Sequence, residues 1–211
     1  MARPTLLSPA LLEARGLSYH RNEERIFGPL DLRVEPGEAL LVEGGNGSGK
    51  TTLLRVLAGL LRASEGEVAH PALADRGRGA LALLGHALAL KAELSCIENL
   101  RFAAGLFGRR HDRTAEGCLE EAGLAGYEDQ LAARLSAGQR KRLALARLRL
   151  GSAPLWLLDE PFANLDLAGI DLVHRLIQSH LAEGGGALLT SHGAYPAGSY
   201  RYRVQRLDAL P

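Results

Sequence analysis

Gly44-Gly45-Asn46-Gly47-Ser48-Gly49-Lys50-Thr51 fits the pattern G-x-x-x-x-G-K-[ST], and the segments on either side of it decide the fold. Before it, Glu38 to Glu43 runs through Ala39-Leu40-Leu41-Val42, an apolar stretch suited to a strand buried on both faces. After it, Leu53, Val56, Leu57 and Leu60 fall at i, i+3, i+4 and i+7, the spacing of one helix face. Strand, glycine loop and helix thus follow each other directly. Glycines in such a loop let backbone N–H groups close around phosphate oxygens, and the helix N-terminus adds its partial positive charge. Lys50 brings a compact cation to the β- and γ-phosphates, and the Thr51 hydroxyl is placed for Mg²⁺. The stretch from Gly44 through Thr52 therefore predicts a nucleoside triphosphate site.

Working outward, Leu30, Leu32 and Val34 alternate with Asp31, Arg33 and Glu35 as in a half-buried strand, and Pro36-Gly37 marks a turn. Residues 80–84, Leu155 to Leu158 and Ala187 to Thr190 read as further buried strands. Tyr200, Tyr202 and Val204, alternating with Arg201 and Arg203, read as a last one. Between about 95 and 150 the pattern is helical. Ser95 with Glu98 and Ser136 with Gln139 form capping boxes, and Gly123 is a helix stop. A further helix near 167–183 buries Leu172, Val173, Leu176 and Ile177 and ends at Gly184-Gly185-Gly186. Strands alternating with helices imply an α/β fold: a mostly parallel sheet with helices on both faces. The expectation is one domain over 1–211, with the helical segment of about 95–150 inserted in its core.

The 25 basic and 24 acidic side chains of the 211 residues leave a net charge of +1, not the basic excess of a nucleic-acid binder. A local basic cluster, Arg140, Lys141, Arg142, Arg147 and Arg149, reads as a solvated helix face. Only three cations are lysines, Lys50, Lys91 and Lys141, so the lysine of the phosphate loop stands out where a broad guanidinium would not fit. Cys96 and Cys118 have neither C-x-x-C nor metal-ligand spacing and read as reduced thiols. No apolar run reaches the roughly 18–20 residues of a membrane span. Ser8, Pro9, Glu13 and Arg15 interrupt any signal-peptide core. Gly77-Arg78-Gly79 with Ala82 mimics a dinucleotide fingerprint, but it precedes its strand and is set aside.

Leu155 to Leu158 ends in Asp159, the second Mg²⁺-side element of a phosphate-loop site. Glu160 follows at once, where it can polarise a water for in-line attack on the γ-phosphate. That order argues for hydrolysis and against phosphoryl transfer to a substrate. Leu135-Ser136-Ala137-Gly138-Gln139, twenty residues before Asp159, is a second capped helix N-terminus with small residues, hence a second anion site. It resembles the signature motif of ATP-binding cassette (ABC) ATPases, whose usual form has glycine where Ala137 stands.

The resemblance implies ATP and Mg²⁺ as cofactors, N-terminal antiparallel strands, and a homodimer in which Ser136, Ala137, Gly138 and Gln139 meet the nucleotide of the opposite subunit. Ala163-Asn164-Leu165-Asp166 resembles the loop through which one subunit senses the other. His192, in Thr190-Ser191-His192, resembles the switch histidine at the γ-phosphate, so the implied catalytic set is Glu160, His192 and Lys50. Tyr19, 25 residues before Gly44, resembles an adenine-stacking aromatic, and a core-packing role is the open alternative. Where the family usually has glutamine, thirteen residues before Asn99, this chain has His86.

Spellings around Leu84-Gly85-His86, Leu90 to Ser95, Glu98 to Phe102, Ala122 to Asp129 and Leu135 to Leu148 resemble the ATP-binding subunits of cytochrome c maturation haem exporters. That resemblance implies a peripheral subunit on the cytoplasmic face of a bacterial inner membrane, docked on integral membrane permease subunits. Another ABC exporter, or a soluble nucleic-acid-associated ABC ATPase, is the alternative. The length leaves room for a cassette and none for a membrane or regulatory domain.

Overall fold

A computed structural model describes residues 9–75, 79–192 and 200–207. Ser8, Gly77 and Arg78 lie outside these. Five strands, β3 (Ala39–Glu43), β5 (Leu81–Leu84), β6 (Leu155–Leu158), β7 (Gly186–Ser191) and β8 (Tyr202–Arg206), form one sheet in the order β5-β6-β7-β3-β8. All its pairings are parallel. The other three, β1 (Leu12–Arg21), β2 (Glu24–Val34) and β4 (Glu65–Ala69), form an antiparallel sheet in the order β2-β1-β4. Two-residue turns suffice for such a hairpin, whereas the parallel strands need the helical crossovers that the sequence pattern supplies.

Period-two splitting explains why the central strands carry runs of consecutive apolar residues. Leu40, Val42, Leu155, Leu157 and Leu188 point to one face, where α1 (Lys50–Leu57) and the antiparallel sheet cover them. Ala39, Leu41, Trp156, Leu158, Ala187 and Leu189 point to the other, against α4 (Ala137–Leu150) and α5 (Leu167–Ala182). A third core lies within the insertion, where Leu100, Leu119 and Leu143 join α4 to α2 (Cys96–Phe107) and α3 (Ala115–Glu121). Cys96 and Cys118 are both buried there as free thiols.

Both capping boxes form as the sequence predicts, at Ser95 with Glu98 and at Ser136 with Gln139. Gly123, with φ +65°, follows the end of α3. Three expectations need correction. Helix α1 stops at Leu57, because Gly59 turns left-handed at φ +71°, so Leu60 does not continue its buried face and is 65% exposed. The basic cluster on α4 is not a solvated face. Arg149 is 3% exposed and reaches Glu183 and Glu121, because α4 is wedged between two cores and has no free side. On β8 the alternation fails: the strand is at the sheet edge, Val204 is half-exposed, and Tyr200 precedes the strand.

Candidate nucleotide site

Because the five strands run the same way, their C-terminal ends deliver four segments to one edge of the sheet. These are the glycine loop after β3, Gly85-His86 after β5, Asp159-Glu160 after β6 and His192 after β7. Gly47 and Gly49 adopt φ +84° and +91°, which favours glycine. A Cβ on Gly49 would lie 2.9 Å from Ile26 Cγ2, and one on Gly44 would lie 2.5 Å from Leu207 O, so the loop is pinned between β2 and the end of β8. Lys50 is buried and its Nζ donates to the carbonyls of Gly44 at 2.7 Å and Gly45 at 2.9 Å. Ser48 is also buried, and its Oγ has no hydrogen-bond partner among the described residues.

A chain of contacts crosses from this loop to β6 and β7. Thr51 Oγ1 donates to Asp159 Oδ2 at 2.8 Å, and Thr190 Oγ1 donates to Asp159 Oδ1 at 2.8 Å. The same Thr190 Oγ1 accepts from the Glu160 N–H at 3.0 Å. The Glu160 carboxylate lies 3.1 Å from His192 Nδ1. Lys141 Nζ donates to the Glu160 carbonyl at 2.8 Å and to the Ala163 carbonyl at 2.9 Å. Burial pushes the Lys141 ammonium down to about 8, against the pull of Glu160 and Asp159. Thr51 and Asp159, predicted as the cation pair, thus lie side by side, and a hydroxyl beside a carboxylate is the hard oxygen donor set that Mg²⁺ takes.

Other predicted residues stand around this centre. His86 is exposed on the rim of a cavity of about 560 Å³ that Ala137, Lys141, Asp159 and Glu160 also line. Ser136 caps α4: its Oγ accepts from the Gln139 N–H at 3.2 Å, and Gln139 Oε1 accepts from the Ser136 N–H at 2.9 Å. Ala137 is exposed beside that cap, and Gly138 is half-buried with open space where a Cβ would stand. Tyr19 pairs in register with Phe27 and stacks on it with ring centroids 6.2 Å apart, packed against the core beside the glycine loop. Asp166 caps α5, accepting from the Gly169 N–H at 2.8 Å, and lies 3.5 Å from Arg142.

Residues 27–163 match the ABC transporter family. Over 213 aligned residues the chain is 58% identical to the cytochrome c biogenesis ATP-binding export protein CcmA of Xanthomonas campestris pv. campestris (strain 8004), with 99% of each chain covered. The chain belongs to the ABC transporter family. It is also 46% identical to CcmA of Xylella fastidiosa (strain 9a5c), over 99% of this chain and 96% of that one. Among solved structures, a putative ABC transporter ATP-binding protein from Pyrococcus furiosus superimposes with a TM-score of 0.79 at 25% identity, covering 93% of this chain and 96% of that one. The ATP-binding subunit of an ABC transporter gives 0.77 at 27% identity, covering 86% and 79%.

Two groups of this ABC cassette escape the motif reading. Thr190 bridges Asp159 and Glu160, although its β-branched side chain reads only as a good strand former. Lys141 braces the turn after Glu160, although its surroundings in sequence read as surface. The rarity of lysine in the chain was the available signal for the second. For the first there was none beyond its place two residues before His192. Among the described residues, no helix is long and apolar enough to cross a membrane.

Proposed function

We propose that the chain hydrolyses ATP as the ATP-binding subunit of an ABC export complex serving c-type cytochrome biogenesis, and that this complex handles haem. The near-full-length identity to CcmA supports this branch over another exporter or a nucleic-acid-associated ATPase. For the chemistry, the single supporting observation is the linked set Thr51, Asp159, Thr190, Glu160 and His192 at the strand ends.

In this reading Lys50 turns its ammonium from the loop carbonyls to the β- and γ-phosphates, and the N–H groups of Gly45 to Thr52 cradle their oxygens. Thr51 and Asp159 would hold Mg²⁺, which when bound neutralises phosphate charge. Glu160 accepts a proton from the attacking water as its oxygen forms the new bond to the γ-phosphorus and the bond to the ADP oxygen breaks. His192 orients that carboxylate and reaches the γ-phosphate. Tyr19 stacks on adenine. Ser136 to Gln139 act on the nucleotide of a second cassette, and Asp166 senses that cassette across the dimer. The single cassette works on the cytoplasmic face of the inner membrane, with His86 at the coupling position toward the permease subunits.

The decisive test is Glu160→Gln in the assembled complex. ATP binding persists while hydrolysis falls about 100-fold or more. Undiminished hydrolysis removes Glu160 from its role. Affinity capture from solubilised membranes tests the branch: integral subunits of the cytochrome c system support it, and an unrelated permease or ribosomes overturn it.

A further inference from the structure

We propose that Lys141 is a positioning residue for hydrolysis, bracing the turn that carries Glu160 against the helix that begins at Ser136. The proposal rests on the reading of Glu160 as the group that activates water. Glu160 adopts φ +46°, in the left-handed region that a non-glycine residue occupies at a cost, and persists there only where its surroundings over-determine it. Three contacts do so. Thr190 Oγ1 takes its N–H, His192 faces its carboxylate, and Lys141 Nζ takes its carbonyl. The turn itself closes when the Ala163 N–H donates to the Glu160 carbonyl at 3.2 Å, and Lys141 holds both ends of that turn through the carbonyls of residues 160 and 163.

Two of the three anchors come from the end of β7, Thr190 within that strand of the core sheet and His192 just after it. Only Lys141 comes from α4, the helix whose first turn is the Ser136 capping box. Between that cap and Lys141 there is just over one helical turn, so the two move as one rigid piece. A shift of the α4 N-terminus is thereby passed to the backbone of Glu160 rather than to solvent. Lysine suits the position, because its compact, rotatable donors reach two carbonyls that the planar guanidinium fork does not match.

The assembled complex gives the test, with kcat and KM for ATP hydrolysis, the Kd of a labelled non-hydrolysable ATP analogue and the thermal midpoint measured together. Lys141→Met is expected to lower kcat about tenfold or more, with KM and Kd within twofold of the parent, and Lys141→Arg to recover part of the loss. In a Glu160→Gln background the same change should reduce the residual rate less than twofold. An unchanged kcat overturns the proposal, as does a loss that appears in Kd, or a full further loss on top of Glu160→Gln. Should Lys141→Met not fold, Lys141→Gln is read by the same criteria. Full hydrolysis by Glu160→Gln alone overturns the role of Glu160 instead, whatever Lys141→Met does.

Discussion

Thr190 is fully buried and uses one oxygen twice, donating to Asp159 and accepting from the Glu160 N–H. Two neighbouring residues, to which the proposed function gives the tasks of holding a cation and activating water, are thus set by a single hydroxyl. Val is the same shape without that oxygen, so Thr190→Val leaves a buried N–H and a buried carboxylate oxygen short of a partner. Such a loss costs about 1–3 kcal/mol. The expected outcome is a lower urea midpoint of that size and turnover reduced about tenfold, both restored by Thr190→Ser. Parent-like turnover in Thr190→Val would remove it from the site. Asp166 makes a related point. Its carboxylate already caps α5, so its substitution disturbs that helix as well as any contact across a dimer.

Helix α4 shows where sequence reading succeeds and fails at the scale of an element. Its start was legible because a capping box is local: Ser136 and Gln139 satisfy each other's N–H groups three residues apart. The glycine loop and β3 were legible for the same reason, each being decided by neighbours in sequence. The burial of α4 was not legible. Leu143, Ala146 and Leu150 face the insertion while Ala144, Leu145 and Leu148 face the sheet, so there is no single apolar stripe to find. Its arginines then counted as surface, since Glu121 and Glu183 lie 28 and 34 residues away in sequence. Glu183 also accepts from Arg110 and Arg113 at 2.7 Å, and although desolvation would raise its carboxyl, Arg149 above all, with Ser179 and Arg113, holds it below the usual carboxylate range. Arg149→Met should destabilise the fold by about 2 kcal/mol, because Glu121 and Glu183 lose a buried partner while Glu183 keeps two others. Chemical denaturation followed by circular dichroism measures this, and an unchanged midpoint would show that Arg110 and Arg113 suffice.

The whole molecule divides its sheet between two tasks, with the nucleotide groups at the C-terminal ends of the strands and a structural lock at the opposite edge. There His180, on the last turn of α5, stacks on Trp156 with ring centroids 3.9 Å apart, and its Nε2 lies 3.2 Å from the Pro154 carbonyl and 3.3 Å from the Gly186 carbonyl. The ring joins α5 to the starts of β6 and β7, and a Cβ on Gly185 would strike it. Burial, the dominant cause, drives the His180 pKa down from 6.5 to about 4, so the folded protein holds the ring neutral. The unfolded chain binds a proton as pH falls through 6.5, and the folded one does not until about 4. Stability from this group is therefore full above 6.5 and is lost progressively between 6.5 and 4, a span of about 3 kcal/mol. His70, also lowered mainly by burial, adds a slope of the same sign. Urea midpoints across pH 4 to 7.5 should fall toward acid, and His180→Phe, which keeps a ring against Trp156, should flatten the fall. An equal slope in His180→Phe would place the acid sensitivity elsewhere. Because the lock lies across the sheet from Glu160 and His192, the substitution should leave the KM for ATP unchanged at neutral pH.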